Sequence, residues 1–208
     1  ELAQSYKHHT QIAVGPRCRA IELTTALSYN TADGTVARLY LIRHAETDLN
    51  ASRIIQWPET PLNARGLWQA TQIAQTLRGH RIDTIISSDY VRARVTATRL
   101  GETIGAHVSL DTRLREWHLG TLRGTPWPEA WDEFDNDAYT PPGGESGHTF
   151  HRRVDQAWQW LQSRIDGSNR PLAIVTHGLF CRALARRHLT WPGHANPPRF
   201  SNASITIV

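Results

Sequence analysis

The 208-residue sequence contains no methionine and only two cysteines. Cys18 lies in a poorly patterned leader, and Cys181 lies in an apolar, helix-like run. Two cysteines so far apart do not provide the dense framework of bridges that stabilises small secreted domains, so no disulfide framework is expected. Because the sequence starts at Glu1 rather than at a methionine, its true amino terminus stays open.

The chain also lacks a long hydrophobic run. No apolar stretch approaches the length of a membrane span, and residues 1–36 contain neither the apolar core of a signal peptide nor a strict periodicity. We therefore expect no membrane partner and, by default, a cytoplasmic location.

A strong excess of one charge is missing as well. The 23 Lys and Arg residues exceed the 19 Asp and Glu residues only slightly, and the basic residues are scattered. No recognition motif accompanies them, so a nucleic acid partner is not expected. His118, His148 and His151 do not have the spacing of a compact zinc site, and no metal or other cofactor is expected.

What the sequence does contain is an alternation of strand-like and helix-like segments. Strands are predicted at residues 37–42, 82–89, 171–176 and 204–208. Helices are predicted from Asn63 to Gly79, from an N-cap at Ser88 or Asp89 to Gly105, over 150–165, and over Leu179–Leu189. This order predicts an α/β fold, a three-layer α/β/α sandwich with a mainly parallel central sheet.

The domain limits follow from the same segments. Residues 37–208 are predicted to form one domain, and residues 1–36 an N-terminal extension of open role. Within the domain, the aromatic, proline-containing stretch 124–147 is predicted to be a lid over the sheet edge. Its aromatic side chains are expected to serve packing more than specificity, although both roles can hold.

Two histidines follow buried-looking strands at their carboxyl ends. His44 comes after the first strand and is preceded by Arg43, whereas His177 ends the run that starts at Pro171 and is followed by Gly178. Ligands of open α/β sheets bind at this edge. The sequence therefore predicts a paired site.

The surrounding residues favour phosphate as the ligand. Arg43 lies at a strand end and Arg92 in the first turn of a helix, and guanidinium groups and helix amino termini both bind phosphate oxygens. A neutral imidazole between them can attack phosphorus while the arginines neutralise developing charge. Glu116 is the carboxyl group expected to protonate the leaving alcohol, with Glu102, Asp89, Glu129 and Glu145 as competitors.

Five segments stand in the order of a known set of motifs: Arg43–Asn50, Ser87–Ala93, Leu114–Glu116, Gly143–Ser146 and Thr176–Gly178. Together they resemble the signature segments of the histidine phosphatase superfamily, the phosphoglycerate mutase-like clan, over about residues 37–208. The strength of this resemblance lies in the ordered set rather than in any single motif.

The resemblance implies a role for each matching residue. His44 is the transient phosphohistidine, and Arg43, Arg92 and His177 form the phosphate pocket around it. Glu116 is the proton donor that later activates water. Three further residues are implied to contact substrate: Asn50, Thr47 and Gly178. No metal is needed in this scheme.

Three positions depart from the family pattern. Ala45 stands where glycine is usual, Trp57 replaces a common small residue near the pocket, and Leu179 follows Gly178 where a second glycine is common. We expect Trp57 to alter substrate shape more than chemistry, and the other two changes to be minor.

These observations predict a phosphoric monoester hydrolase for a small phosphorylated metabolite, either a sugar phosphate or a phosphoglycerate-type ester. A phosphomutase of the phosphoglycerate mutase type and a catalytically silent phosphate-binding module are the alternatives. The short span between Glu116 and His177 favours a compact phosphatase. A homodimer is left open as the assembly.

Overall fold

A computed structural model describes residues 39–128, 134, 136–168, 170–190 and 199–208, together with three short strands that precede them. The strands are β1 (Leu23–Thr25), β2 (Tyr29–Asn30), β3 (Val36–Ala37), β4 (Leu39–Arg43), β5 (Thr84–Ser87), β6 (His107–Leu110), β7 (Leu172–Thr176) and β8 (Ile205–Ile207). The α-helices are α1 (Asp48–Ala51), α2 (Ala64–Thr76), α3 (Val91–Ile104), α4 (Gly147–Asp166) and α5 (Gly178–His188). Single turns of 3-10 helix lie at Thr112–Leu114 and Gly120–Leu122.

Six strands form one sheet in the order β1-β8-β4-β7-β5-β6. Strands β4, β7, β5 and β6 are parallel neighbours, and β8 runs antiparallel to β4 and parallel to β1. The prediction of a mainly parallel sheet is therefore confirmed. Since β1 joins this sheet, part of the predicted N-terminal extension belongs to the architecture of the domain.

Helices cover both faces of the sheet. Leu39 and Leu41 of β4 pack with α4 and α5 in one core, whereas Tyr40 and Ile42 pack with α2 and α3 in the other. Successive side chains of a strand point to opposite faces, so each described central strand contributes to both cores. The predicted three-layer sandwich is confirmed.

The helix ends agree with the sequence at most positions. Asn63 caps α2, with its side-chain oxygen accepting from the Gly66 amide at 2.7 Å. Gly105 ends α3 with a φ of 73°, a left-handed conformation that glycine adopts without strain. The predicted N-cap of α3 at Ser88 or Asp89 is wrong, because Tyr90 occupies that position without a side-chain capping bond.

Strand β6 is missing from the sequence prediction. It lies at the edge of the sheet, and none of its residues is fully buried, so it lacks the apolar run that marks the central strands. Within the predicted lid, the described Phe134 is buried and packs edge-on against Trp117, with ring centroids 5.5 Å apart. This part of the segment belongs to the core.

Two further observations concern the cysteines and the length of the apolar helices. Cys181 is a buried free thiol, and Cys18 lies outside the described residues. None of the described helices combines the length and the apolar character needed to cross a membrane.

Candidate active site

The parallel strands β4, β7 and β5 bring their carboxyl ends to one edge of the sheet. His44 follows β4 directly, and its amide donates to the Thr176 carbonyl of β7 at 2.9 Å. Ser88 follows β5, and its amide donates to the Val175 carbonyl, also at 2.9 Å. The sheet pairing therefore fixes these residues side by side at the edge, as the sequence predicts for the two histidines.

His44 is 2% exposed, and its two ring nitrogens have different partners. Nδ1 lies 2.7 Å from the Ala45 carbonyl oxygen. Because a carbonyl only accepts, Nδ1 carries the proton and Nε2 the lone pair. Arg92 Nε donates to that Nε2 at 3.2 Å.

Both histidines are neutral in this environment. Burial lowers the pKa of His44 well below its usual range, and the charges of Arg92 and Arg43 lower it further. The pKa of His177 is lowered in the same way, again mainly by burial. A neutral imidazole keeps the lone pair that a nucleophile requires.

His177 is fully buried beside His44, with ring centroids 5.2 Å apart. Its Nε2 lies 2.8 Å from the Ser88 hydroxyl, and its Nδ1 has no partner in the described chain. The hydroxyl of Ser88 also accepts from the Tyr90 amide at 3.3 Å, one residue before α3 begins.

Arg43 points along the amino end of α5. Its Nη1 donates to the Phe200 carbonyl at 2.6 Å. A Cβ on Gly178 would lie only 3.2 Å from the Arg43 guanidinium carbon, so the missing side chain of Gly178 leaves room for the arginine. The structure thus assigns Gly178 a packing role beside a predicted phosphate ligand.

Arg92 enters from α3 and is 3% exposed. Its Nη1 donates to the Trp57 carbonyl at 2.8 Å, while its Nε contacts His44. Burial lowers the pKa of Arg92 to about 10, which still leaves the guanidinium charged at neutral pH. The site therefore contains a buried cation in contact with the predicted nucleophile.

Thr47 and Asn50 form a capping box at α1. The Thr47 hydroxyl accepts from the Asn50 amide at 3.0 Å, and Asn50 Oδ1 accepts from the Thr47 amide at 3.3 Å. Thr47 is fully buried, and the described contacts give it a structural role in this capping box. Asn50 Oδ1 also accepts from Asn202 Nδ2 at 3.0 Å.

Buried polar atoms without partners coincide with the predicted site. Among the described residues, four fully buried side-chain atoms lack a hydrogen bond: Arg43 Nε, Asn50 Nδ2, His177 Nδ1 and Ser204 Oγ. Three of them belong to residues implied to hold phosphate. An unsatisfied buried polar group costs about 1–3 kcal/mol, and phosphate oxygens are acceptors suited to the two donors, Arg43 Nε and Asn50 Nδ2.

Glu116 lies against the amino end of α5. Its two carboxylate oxygens accept from the amides of Leu179 and Phe180, each at 3.0 Å. Burial lowers the pKa values of Arg43 and Arg92, and the charge of Glu116 opposes that shift at both. Glu116 is therefore the carboxylate that faces the arginines of the site.

The competing carboxylates have other partners or positions. Asp89 forms two hydrogen bonds with Arg115, and Glu145 pairs with Arg153. Glu102 is exposed on α3, and Glu129 lies outside the described residues. Across the described ranges, no group of three or more His, Cys, Asp or Glu side chains is arranged to hold a metal ion.

Sequence reasoning missed four contributors to the site. Two are the backbone carbonyls of Trp57 and Phe200, which hold the arginines and leave no trace in side-chain patterns. The third is Asn202, whose Nδ2 contacts both the His44 carbonyl, at 3.2 Å, and Asn50. The fourth is the Ser88 hydroxyl, which the sequence assigns to a helix cap.

The departures at Ala45 and Trp57 have clear structural settings. Ala45 is fully buried in the core with α2 and α3, and its amide donates to the Thr96 hydroxyl at 3.2 Å. Trp57 is 45% exposed. A Cβ on Gly124, whose φ is 86°, would come within 2.4 Å of the Trp57 ring, so the indole lies directly on this glycine.

Comparison with known proteins gives consistent matches. A sequence model described as histidine phosphatase superfamily (branch 1) matches residues 39–208. The chain is 36% identical over 182 residues to a probable phosphoglycerate mutase GpmB of Serratia proteamaculans, which covers 82% of this chain and 84% of that one. It is 36% identical over 176 residues to a glucosyl-3-phosphoglycerate phosphatase of Mycolicibacterium vanbaalenii, covering 76% of each.

A solved structure agrees with these matches. A mycobacterial glucosyl-3-phosphoglycerate phosphatase in complex with VO3 has a TM-score of 0.69 to this chain at 33% identity. The alignment covers 83% of this chain and 90% of that one.

Proposed function

The chain belongs to the histidine phosphatase superfamily, and on that premise we propose that it hydrolyses small phosphoric monoesters through a phosphohistidine at His44. The substrate class is a sugar phosphate or a phosphoglycerate-type ester. One of its relatives is named as a phosphatase of glucosyl-3-phosphoglycerate, which supports this class. No metal takes part in the proposed reaction.

In the first step, the phosphate group binds among the buried donors. Arg43, Arg92 and Asn50 donate to its oxygens, and His177, whose ring lies 5.2 Å from that of His44, supplies a further contact. Helix α5 also begins at this point, and its dipole favours an anion. Transfer of the Arg92 Nε hydrogen bond to a phosphate oxygen releases the lone pair on His44 Nε2.

In the second step, His44 Nε2 attacks phosphorus and the ester P–O bond breaks. For this step the Glu116 carboxylate must first take up a proton from solvent. The bond electrons go to the leaving oxygen, which takes that proton from Glu116. The arginines neutralise the charge on the phosphoryl oxygens as the bonds change. Water then attacks the phosphohistidine, Glu116 accepts a proton from that water, and His44 and inorganic phosphate are released.

One observation carries this proposal. The buried donors without protein partners lie at the same sheet edge as the neutral His44, whose Nε2 lone pair faces Arg92. A phosphate monoester satisfies those donors and brings phosphorus to the nucleophile at the same time.

Phosphate release from phosphorylated sugars, phosphoglycerates and p-nitrophenyl phosphate, measured in the presence of EDTA, tests the proposal. We expect the wild type to release phosphate and His44→Ala to lose this activity. The control is Glu102→Gln, a substitution at an exposed position of α3, which should keep it. An acid-labile phosphoenzyme should be trapped only when His44 is present. Undiminished release by His44→Ala would refute the phosphohistidine.

A phosphomutase is the second candidate, because a relative at 36% identity is named a probable phosphoglycerate mutase. A mutase returns the phosphoryl group to a second hydroxyl, so it needs a bisphosphate primer and releases little inorganic phosphate. Interconversion of 2- and 3-phosphoglycerate that depends on primer would favour it over the phosphatase.

We also propose that the enzyme acts in the cytoplasm, where small phosphorylated metabolites are made and consumed. Cell fractionation with an antibody against the chain tests the location. A homodimer stays a prediction, and light scattering of the purified protein tests it.

A further inference from the structure

Tyr90 presents an unpartnered hydroxyl beside the proposed phosphate site. Its ring lies 5.2 Å from the His177 ring, and the residue is only 8% exposed. The hydroxyl makes no hydrogen bond within the described chain, and it is not among the fully buried atoms that lack partners. It therefore reaches solvent as a donor available to a ligand, at the end of a ring that contacts His177.

The charges of three guanidinium groups act on Tyr90. The guanidinium carbons of Arg92 and Arg115 lie 5.3 and 5.6 Å from the Tyr90 ring centroid. Burial raises the pKa of Tyr90, and the charges of Arg123, Arg115 and Arg92 oppose that rise. All three arginines are thus within electrostatic reach of the phenol.

The three arginines differ in what they already bind. Arg92 contacts His44 and belongs to the phosphate site, and Arg115 is held by Asp89 through two hydrogen bonds. The side chain of Arg123 makes no ion pair or hydrogen bond to the part of the chain that the structure describes. Arg123 is therefore the cation left available to a second ligand group.

The backbone fixes Arg123 at the rim of the site. Arg123 ends the 3-10 turn Gly120–Leu122, and the Gly124 amide donates to the Ile55 carbonyl at 2.8 Å. Gly124 also supports the ring of Trp57, whose own carbonyl binds Arg92. Arg123 thus adjoins the segment that positions a phosphate-site arginine.

A negative group faces this region as well. Glu116 lies near enough to Tyr90 to add to the burial-driven rise of its pKa. Its carboxylate, however, is bound by the amides of Leu179 and Phe180 at the amino end of α5, where the helix dipole stabilises negative charge. A second anion can therefore bind the Arg123 guanidinium and the Tyr90 hydroxyl without facing an unbound carboxylate.

We infer that Tyr90 and Arg123 form a subsite for a second anionic group, carried on the alcohol side of the phosphoester. This inference rests on the proposed function and narrows its substrate class. A carboxylate or a second phosphate can accept from both the phenol and the guanidinium. The preferred substrates are then phosphoesters of hydroxy acids or bisphosphates rather than esters of neutral alcohols.

Matched substrate pairs test the subsite. One pair is 3-phosphoglycerate and glycerol 3-phosphate, which differ at the carboxylate, and the other is fructose 1,6-bisphosphate and fructose 6-phosphate. We expect the wild type to prefer the doubly anionic member of one pair. Arg123→Gln and Tyr90→Phe should each reduce that preference by about tenfold, mainly through KM, because each removes one hydrogen bond to a charged group.

The control is Arg99→Gln, which removes the same charge from an exposed position on α3 and should keep the wild-type preference. A reduced preference in the first pair identifies a carboxylate, and in the second pair a phosphate. Unchanged preferences in both pairs for both variants overturn the subsite. If the wild type hydrolyses no ester, the phosphatase proposal fails, and calorimetric affinities for the same pairs still decide the subsite.

Discussion

At the scale of single residues, both ring nitrogens of the proposed nucleophile, His44, already have hydrogen-bond partners before substrate binds. Arg92 Nε occupies the lone pair of His44 Nε2, while the Ala45 carbonyl holds Nδ1. In the proposed mechanism a phosphate oxygen takes over the arginine, so the group that binds substrate is also the group that exposes the imidazole. Binding and activation of the nucleophile are then one event.

The role of Glu116 can be separated from that of His44 by the leaving group. Glu116→Gln should reduce kcat/KM for alkyl phosphates by about 100-fold or more, since a poor leaving group needs protonation. For p-nitrophenyl phosphate, whose leaving group is stable as an anion, the initial loss should be much smaller. Single-turnover kinetics on both esters measures the two effects.

Glu102→Gln serves as the control for this experiment, because Glu102 is exposed on α3. Equal losses for both esters in Glu116→Gln would argue that Glu116 is not the acid. Such a result would leave it the structural role of binding the amides of Leu179 and Phe180.

At the scale of elements, the amino end of α5 organises several parts of the site at once. His177 is its N-cap, Gly178 leaves room for Arg43, and the next two amides bind Glu116. Four consecutive residues thus position a predicted phosphate ligand, the cation next to it and the proposed acid. Small changes at this helix end should affect function more than stability.

Gly178→Ala tests that expectation. The new Cβ would lie 3.2 Å from the Arg43 guanidinium carbon, closer than most such contacts, so the arginine must shift. We expect kcat/KM to fall by about tenfold to 100-fold, with weaker inhibition by inorganic phosphate. Because the φ of Gly178 is ordinary for a helix and alanine favours helices, the melting temperature should change little.

The control for this substitution is Gly167→Ala, at the carboxyl end of α4 and at an ordinary φ of −86°. It should leave kinetics and phosphate inhibition unaltered. Wild-type kinetics in Gly178→Ala would mean that Arg43 does not depend on this close approach.

Local patterns predicted the elements where burial is strong. Strands β4 and β7 are almost wholly buried, and their apolar runs placed His44 and His177 at the correct ends. Strand β6 escaped prediction because its edge position exposes His107 and Leu110. The cap of α3 was misassigned because the helix begins only after Tyr90. The Ser88 hydroxyl accepts from the Tyr90 amide and lies 2.8 Å from Nε2 of His177, a residue 89 positions away.

The residues of the site also fall into those that the sequence could predict and those that it could not. The sequence could predict that Arg43, His44, Arg92 and His177 lie together, since each stands at a strand or helix end within a motif. The Phe200 carbonyl could not be predicted, because backbone acceptors have no sequence signature. Asn202 could not be predicted either, because only the sheet order brings it to Asn50.

At the scale of the whole molecule, the neutral histidines couple stability to pH. Burial depresses the folded-state pKa of His44 and His177 well below 6.5, so protons bind the unfolded chain more readily than the folded one. The free energy of unfolding is therefore fully retained above about pH 6.5 and falls as the pH drops below it. Each histidine contributes up to about 1.4 kcal/mol per pH unit in that window.

Guanidinium unfolding at several values between about pH 7.5 and 5 measures this slope. In His177→Asn the free energy of unfolding should decline less steeply with falling pH than in the wild type, because one of the two buried histidines is gone. Arg99→Gln controls for the loss of one exposed positive charge. Its free energy of unfolding should decline with falling pH as that of the wild type does. Identical slopes in His177→Asn and wild type would contradict the linkage.

The position of β8 has a consequence for synthesis on the ribosome. Strand β8 lies inside the sheet between β1 and β4, and the segment just before it supplies the contacts of Phe200 and Asn202 to the site. About 160 residues separate His44 from these contacts, which corresponds to roughly 10–30 s of translation at about 5–20 residues per second. The nascent chain therefore carries His44 and Arg43 without a completed pocket during this time, and the proposed phosphate chemistry begins only when β8 has emerged.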